Sequence, residues 1–224
     1  MTENAFLKHA IKQLSERRQT LFAEVLKYRT NHIKVVMEDF YQPHNFSAVL
    51  RSCDIFGINS VHIIENLNRY QTNPKVNMGS DKWVNITKHN ELENNTLACF
   101  NTLKKDGYKI VAAHPHAKQC DLPELDISQK TAILFGTEKA GISEIAKENA
   151  DAFVCVPMYG FTESFNVSVA AALTLSSIRE RLNNSEINWQ LSPEEKDNIL
   201  DTWLSRCVNG YEELRKEFFN QRKF

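Results

Sequence analysis

Apolar and polar positions change period several times along the chain, and each change marks an element. Residues 3 to 29 contain neither glycine nor proline. Phe6, Ala10, Leu14, Leu21, Phe22, Val25 and Leu26 recur there near helical spacing, which predicts a helical arm. "HIKVVMEDF" then reads as a short strand and "SVHIIEN" as a second. Between them Phe46, Val49, Leu50, Cys53 and Phe56 make one apolar stripe on a helix over 41 to 56, closed by Gly57. Residues 67 to 90 are polar, carry Asn, Pro and Gly, and predict a long loop of the kind that often carries function. Residues 91 to 106 read as helix up to Gly107. "YKIVAAH", "TAILFG" and "AFVCVPM" are further strands. "GISEIAKENA" is a short helix capped by Ser143, and "SFNVSVAAALTLSSIRERL" a long one rich in small residues. A charged helical tail follows, with Ser192 as cap and Pro193 at the first helical position.

Strands alternating with helices predict an α/β domain with a mainly parallel sheet over 31 to 184. Residues 1 to 30 and 185 to 224 read as helical appendages to it. The chain has 224 residues, 42% of them hydrophobic and 25% charged, which suits an ordinary soluble globular protein. No run approaches the ~18 apolar residues of a membrane span, and the first residues lack the apolar segment of a secretion signal. The five cysteines form no CxxC pair. They predict neither a disulfide framework nor a zinc site, and point to a reduced, cytoplasmic protein whose cysteines are mostly small core residues. A net charge of -1 does not announce a nucleic-acid binder, but a local patch suffices for one. Lys8, Lys12, Arg17 and Arg18 share the first arm, and Arg215, Lys216, Arg222 and Lys223 lie near the other end. Each group is either a solvated face or a set of phosphate contacts.

Arg51 projects away from the apolar stripe of its helix, with no neighbouring acid obviously placed to pair with it. Asn45 stands at the start of the same helix, where its type suits a cap. Two later segments each end a strand in a turn. "ILFGTEKAGIS" sets Gly136 and Gly141 around Glu138, and "VCVPMYGFTESFNVSVAAAL" sets Ser164 and Asn166 at a helix start. In open α/β sheets ligands bind beyond the carboxyl ends of the strands, where both segments fall. There is no GxGxxG and no GxxxxGK[ST], so the usual phosphate cradles are missing. No His/Cys/Asp group has metal-ligand spacing, and no metal is expected. Taken singly, Glu138 is a turn acid, Ser164 a cap and the glycines turn formers.

Taken together, "PHNFSAVLRSCDIFGI", "ILFGTEKAGIS" and "VPMYGFTESFNVSVAAAL" resemble the three ordered motifs of the SPOUT RNA methyltransferases, in the branch called TrmH. "ERR" at 16 to 18 and "GSDKWV" at 79 to 84 extend the resemblance, which covers about residues 15 to 182. It implies a deep trefoil knot in about 131 to 182. It implies S-adenosylmethionine held by three loops at Ala113, Gly136, Val156 and Phe165. The implied reaction is 2′-O-methylation of a tRNA ribose, guanosine 18 in the D-loop above all, in a cleft shared by the two subunits of a homodimer. Arg51 would stand beside the hydroxyl as base or as electrostatic stabiliser, supported by Asn45, with His44 as a second proton handler. Ser164 and Asn166 would hold the substrate sugar or phosphate, and Glu138 would orient the cofactor loop. Lys8, Lys12, Arg17 and Arg18 would contact the RNA. Two positions depart from the family pattern: Glu163-Ser164-Phe165-Asn166 replaces Gln-Ser-Leu-Asn, and Ala113 replaces a common Thr. The alternatives are the same chemistry on a ribosomal RNA or on a tRNA wobble nucleotide, and a non-catalytic RNA-binding protein with the same fold.

Overall fold

A computed structural model describes residues 2–71, 73–116, 120–137 and 140–220. The chain divides into two compact units, one of residues 30–189 and one made from residues 1–29 together with 190–224.

The larger unit is built on six parallel strands in the order β3-β2-β1-β5-β4-β6. They are β1 (Ile33–Glu38), β2 (Ser60–Ile64), β3 (Asn85–His89), β4 (Lys109–Ala113), β5 (Thr131–Phe135) and β6 (Ala152–Val154). Every residue of β2 and β5 is buried, because parallel strands with helices on both faces need apolar side chains on both. Alternate residues divide between two cores. Val35, Met37, Ile63 and Ile133 face the helices α3 (Pro43–Ile55) and α7 (Val167–Asn183). Val36, Ile64, Ala132 and Leu134 face α5 (Asn95–Lys105) and α6 (Glu144–Asn149). The stripe Phe46, Val49, Leu50 and Cys53 lies in the first core, as helical periodicity requires.

Two expectations need correction in this unit. The stretch 67 to 90 is not all loop: it holds a short helix, α4 (Pro74–Asn77), and the edge strand β3. Asn85, Ile86, Thr87, Lys88 and His89 are half-buried at best, so β3 has the mixed polarity of an edge and lacks the apolar run of the buried strands. Asn45 is not the cap of α3. The helix starts at Pro43, Gln42 holds the cap position, and Asn45 is buried at the third helical residue.

The smaller unit joins α1 (Glu3–Ala10) and α2 (Glu16–Tyr28) to α8 (Pro193–Cys207) and α9 (Tyr211–Asn220). The expected single arm helix is broken. A short 3-10 turn at Ile11–Gln13 leads into extended backbone at Leu14 and a new start at Ser15. Lys8, Lys12 and the Arg17–Arg18 pair therefore sit on three separate segments. Aromatic rings fill the core: Phe6 lies 5.3 Å from Tyr211 and 5.5 Å from Phe218, and Phe22 meets Trp203 edge-on at 5.4 Å. Ser192 and Glu195 close a reciprocal capping box at the start of α8. Arg215 is committed inside the unit, donating to Asp201 at 3.0 Å and to Glu3 at 2.7 Å, and so differs from the free RNA contact its position suggested. Arg222 and Lys223 lie outside the described residues. Among the described residues, no helix is long and apolar enough to cross a membrane.

Candidate active site

The carboxyl ends of β4, β5 and β6 open into a cavity of about 330 Å³. Ala113, Gly136, Val156 and Phe165, which sequence spread over four segments, all line it, and so does Ser164. Gly136 is dictated by packing. A Cβ there would meet the Gly141 carbonyl oxygen at 2.2 Å. The loop folds back on itself through paired bonds, Thr137 N–H to Gly141 O at 2.8 Å and Gly141 N–H to Thr137 O at 3.0 Å. Gly141 makes the return with a φ of 70°, a conformation that glycine adopts freely. Glu138 lies outside the described residues.

A second cavity, of about 280 Å³, adjoins the first, and Thr137, Ala140 and Val167 belong to both walls. Its far side is the end of β1, the start of α3 and the loop after β2: Asp39, Gln42, Asn45, Leu67 and Asn68. Asp39 holds that loop. Its carboxylate accepts the backbone N–H groups of Asn66 and Leu67, each at 2.7 Å, and of Asn68 at 3.2 Å. The carboxylate can reach all three because Asp39 itself has a φ of 51°, which turns the chain at the strand end.

Asn45 and Asn166 come together between the helices that flank these cavities. Asn166 donates from Nδ2 to Asn45 Oδ1 at 3.1 Å, and Asn45 donates to Gln42 Oε1 at 3.2 Å. Asn166 also caps α7, accepting from the Ser168 backbone at 2.9 Å. One side chain thus starts the helix and fixes the asparagine of α3 across from it. Arg51 and His44 are exposed on α3, and Arg51 lines neither cavity. Among the described residues Arg51 makes no hydrogen bond or ion pair, and Ile55 on α3 and Val169 and Leu173 on α7 leave apolar surface open.

Residues 32–176 match the SpoU rRNA Methylase family. The chain belongs to that family. A tRNA (guanosine(18)-2'-O)-methyltransferase of Borreliella burgdorferi is 38% identical over 201 residues, 90% of each chain. The enzyme of the same name from Thermus thermophilus is 35% identical over 198 residues, 88% of this chain and all of that one. The crystal structure of the Aquifex aeolicus TrmH/SpoU tRNA modifying enzyme superposes with a TM-score of 0.76 at 30% identity, covering 86% of this chain and 98% of that one. A more distant SpoU methyltransferase, AviRb from Streptomyces viridochromogenes in complex with AdoMet, shares the fold with a TM-score of 0.62 at 22% identity over 72% of this chain and 65% of its own.

The candidate site contains residues that sequence reasoning passed over. His114, Pro115 and His116 follow β4 directly and line the first cavity. Burial, with Lys147 and His116 alongside, holds the His114 imidazole below the usual histidine range. The available signal was their place just past a strand's carboxyl end, where a His-Pro-His run has no role in a core. Asp39 and Asn68 gave no such signal, since their partners are backbone groups far along the chain.

Proposed function

We infer that this chain transfers a methyl group from S-adenosylmethionine to the 2′-hydroxyl of guanosine 18 in tRNA. The observation that carries the reading is the pair of adjoining cavities with the Asn45–Asn166 bond beside them. Relatives that bear this activity in their names, at 34–38% identity, support the choice of substrate.

The first cavity suits the cofactor. Its wall mixes apolar side chains, among them Phe135, Val154, Val156 and Phe165, with polar ones and turning backbone, and the missing Cβ at Gly136 lets the loop close on Gly141 at its rim. Ala113, Gly136, Val156 and Phe165 would hold the group, the last three in loops that belong, on this reading, to a knot spanning about 131 to 182. When bound, S-adenosylmethionine supplies an electrophilic methyl on a sulfonium. The second cavity would take the target nucleoside against Gln42, Asn45 and Asn68, with Ser164 and Asn166 positioning its sugar and phosphate.

A ribose hydroxyl is a poor nucleophile until its proton leaves. Arg51 would stay charged and stabilise the alkoxide as it forms, because a guanidinium has no accessible neutral form near pH 7. It would do so across a homodimer interface in which Ile55, Val169 and Leu173 are covered by the second subunit. Glu138 would orient the loop over the cofactor. Lys8, Lys12 and Arg17, all exposed, would meet tRNA phosphates, and the reaction would be a cytoplasmic one. Arg18 is in part committed, donating to Cys207 Sγ at 3.4 Å and standing over the Phe22 ring.

The test is nucleoside mass spectrometry on an unmodified tRNA transcript incubated with protein and S-adenosylmethionine. A 2′-O-methylguanosine at position 18, absent with a transcript altered at that position and with Arg51→Ala, is the expected result. Methylation at the wobble position or of ribosomal RNA alone would overturn the assignment.

A further inference from the structure

The side of the sheet under α5 holds a cluster that methyl transfer does not use. His62 pairs in register with Thr87, and His89 lies two residues further along β3, so both rings fall on the same face as Ile64. His62 Nδ1 and His89 Nε2 are 2.9 Å apart, in rings inclined by only 20°. Cys99 of α5 closes over them. One nitrogen from each ring and the Cys99 sulfur all lie within 4.8 Å of one another. His62 and Cys99 are buried and His89 is partly open to solvent. His62 Nε2 is buried with no hydrogen-bond partner.

The facing ring nitrogens and the Cys99 sulfur are the donor set of a metal centre. Nε2 of His62 is not one of the three donors and stays unpartnered with or without an ion; its cost of about 1–3 kcal/mol, which an apolar residue on β2 would avoid, marks His62 as a side chain that packing alone does not require. We propose that His62, His89 and Cys99 bind a thiophilic d10 cation, zinc(II) or copper(I).

The required movement is small. With zinc–nitrogen bonds of about 2.0–2.1 Å and a zinc–sulfur bond of about 2.3 Å, tetrahedral geometry sets N···N near ~3.3 Å and S···N near ~3.6 Å. The rings open by a few tenths of an ångström and the sulfur moves inward by at most ~1.2 Å from the 4.8 Å limit. The hydrogen between the rings moves to Nε2 of His62 as a change of tautomer, which frees both facing lone pairs for the ion. The Cys99 thiol releases one proton to water and forms the metal–thiolate bond. Burial pushes the Cys99 thiol up and the His62 imidazole down, so the thiolate forms only with the ion in place; Lys34 nearby favours the thiolate and opposes further positive charge. Its own partner Asp106 lies 3.7 Å away. Copper(I) with a thiolate leaves the site neutral, and zinc(II) leaves it singly positive, with water entering beside His89 as a further ligand. Either ion would fasten the edge strand β3, which pairs with β2 alone, to the helix above it.

Sequence spacing predicts no such site because its three donors come from two strands and a helix. The experiment uses the full chain, stripped of metal and kept reduced and anaerobic. Zinc(II) and copper(I) are titrated separately against a chromophoric chelator, and melting temperature is followed with each. Cobalt(II) serves as a spectroscopic stand-in for zinc. Cys99→Ala and His89→Asn are the variants, one leaving a small cavity and the other changing a partly exposed edge residue, so both should fold. The expected result is one ion per chain for at least one metal, with a higher melting temperature. Binding should weaken at least tenfold in each variant, and the sulfur-to-cobalt charge-transfer band should vanish in Cys99→Ala. Zinc alone or copper alone binding in this way would fix which ion the site takes. Absence of one-to-one binding by both ions, or binding unchanged in both variants, would overturn the proposal.

Discussion

Glu38 ends β1 with its carboxylate almost fully buried, at 2% exposure. It accepts from Thr96 Oγ1 and Ser143 Oγ at 2.7 Å each, and from the Ser143 backbone N–H at 2.8 Å. Ser143 is the cap of α6 and ends the loop that begins at Gly136, so one carboxylate ties the central strand, α5 and the wall of the first cavity. Three hydrogen bonds to a charged acceptor at about 1.5–3 kcal/mol each would sum to roughly 5–9 kcal/mol. Burying the charge offsets several kcal/mol of that. Glu38→Ala should therefore cost about 4 kcal/mol, most of it from the Ser143 N–H left without an acceptor. Glu38→Gln keeps an acceptor for that N–H while the two hydroxyls turn to accept from the new amide, so its cost should be about 1–2 kcal/mol. At roughly 2–4 °C per kcal/mol for a chain of this size, melting should fall by about 8–16 °C and 2–8 °C respectively. Scanning calorimetry measures both, and Glu38→Ala, Ser143→Ala and their double mutant give the coupling energy. We expect coupling of about 1–3 kcal/mol and a raised KM for the cofactor in Glu38→Ala. Additive single-mutant effects, or a Glu38→Ala protein that melts like the wild type, would refute the reasoning.

The remaining predictions concern the cavities and the arm. Asn166→Asp keeps the cap on α7 but sets a carboxylate against Asn45 Oδ1, so melting should change little while kcat falls at least tenfold; a steady-state assay with unchanged kcat would remove the pair from catalysis. Gly136→Ala drives a methyl into the Gly141 carbonyl, and calorimetric titration should show cofactor affinity at least tenfold weaker in a protein that still folds. His114 has its folded pKa below the unfolded 6.5, so the unfolded chain binds more protons and stability declines as pH falls through 6.5. Lys147, His116 and the Phe153 ring face it, and His114→Asn should flatten that part of a stability-versus-pH curve. Arg17→Ala should lower the slope of log tRNA affinity against log salt by about 0.7–0.9 without moving the melting temperature. An unchanged slope would assign Arg17 to solubility.

The buried parallel strands and the amphipathic helices were legible because their periods are local: "TAILF" and the stripe from Phe46 to Cys53 declare themselves within a few residues. The edge strand β3 was not, since its stability comes from pairing with β2 and its side chains are half in solvent. The break at Leu14 was hidden because helix propensity stays high across it, and tertiary packing of Phe6 and Phe22 decides where the chain turns. Resemblance named Ala113, Gly136, Val156 and Phe165, and the structure gathers them around one cavity. Their neighbours Asp39, Asn68 and His114 depend on contacts that no spacing encodes. Arg51 was conspicuous in sequence as a cation off the apolar stripe of its helix, and it is exposed on the surface of a single chain.

The smaller unit takes its two halves from opposite ends of the described chain, with the whole larger unit encoded between them. During synthesis α1 and α2 leave the ribosome first, carrying Phe6, Leu7 and Phe22 with nothing yet made to cover them. Their partners Trp203, Tyr211 and Phe218 arrive only after the sheet has been translated, a wait of ten seconds or more at roughly 5–20 residues per second. The arm is therefore a latecomer in folding although it precedes the sheet in synthesis. A stop codon anywhere before α8 would strip the core from a structure translated long before it, and the damage from a C-terminal truncation would surface at the N-terminal end.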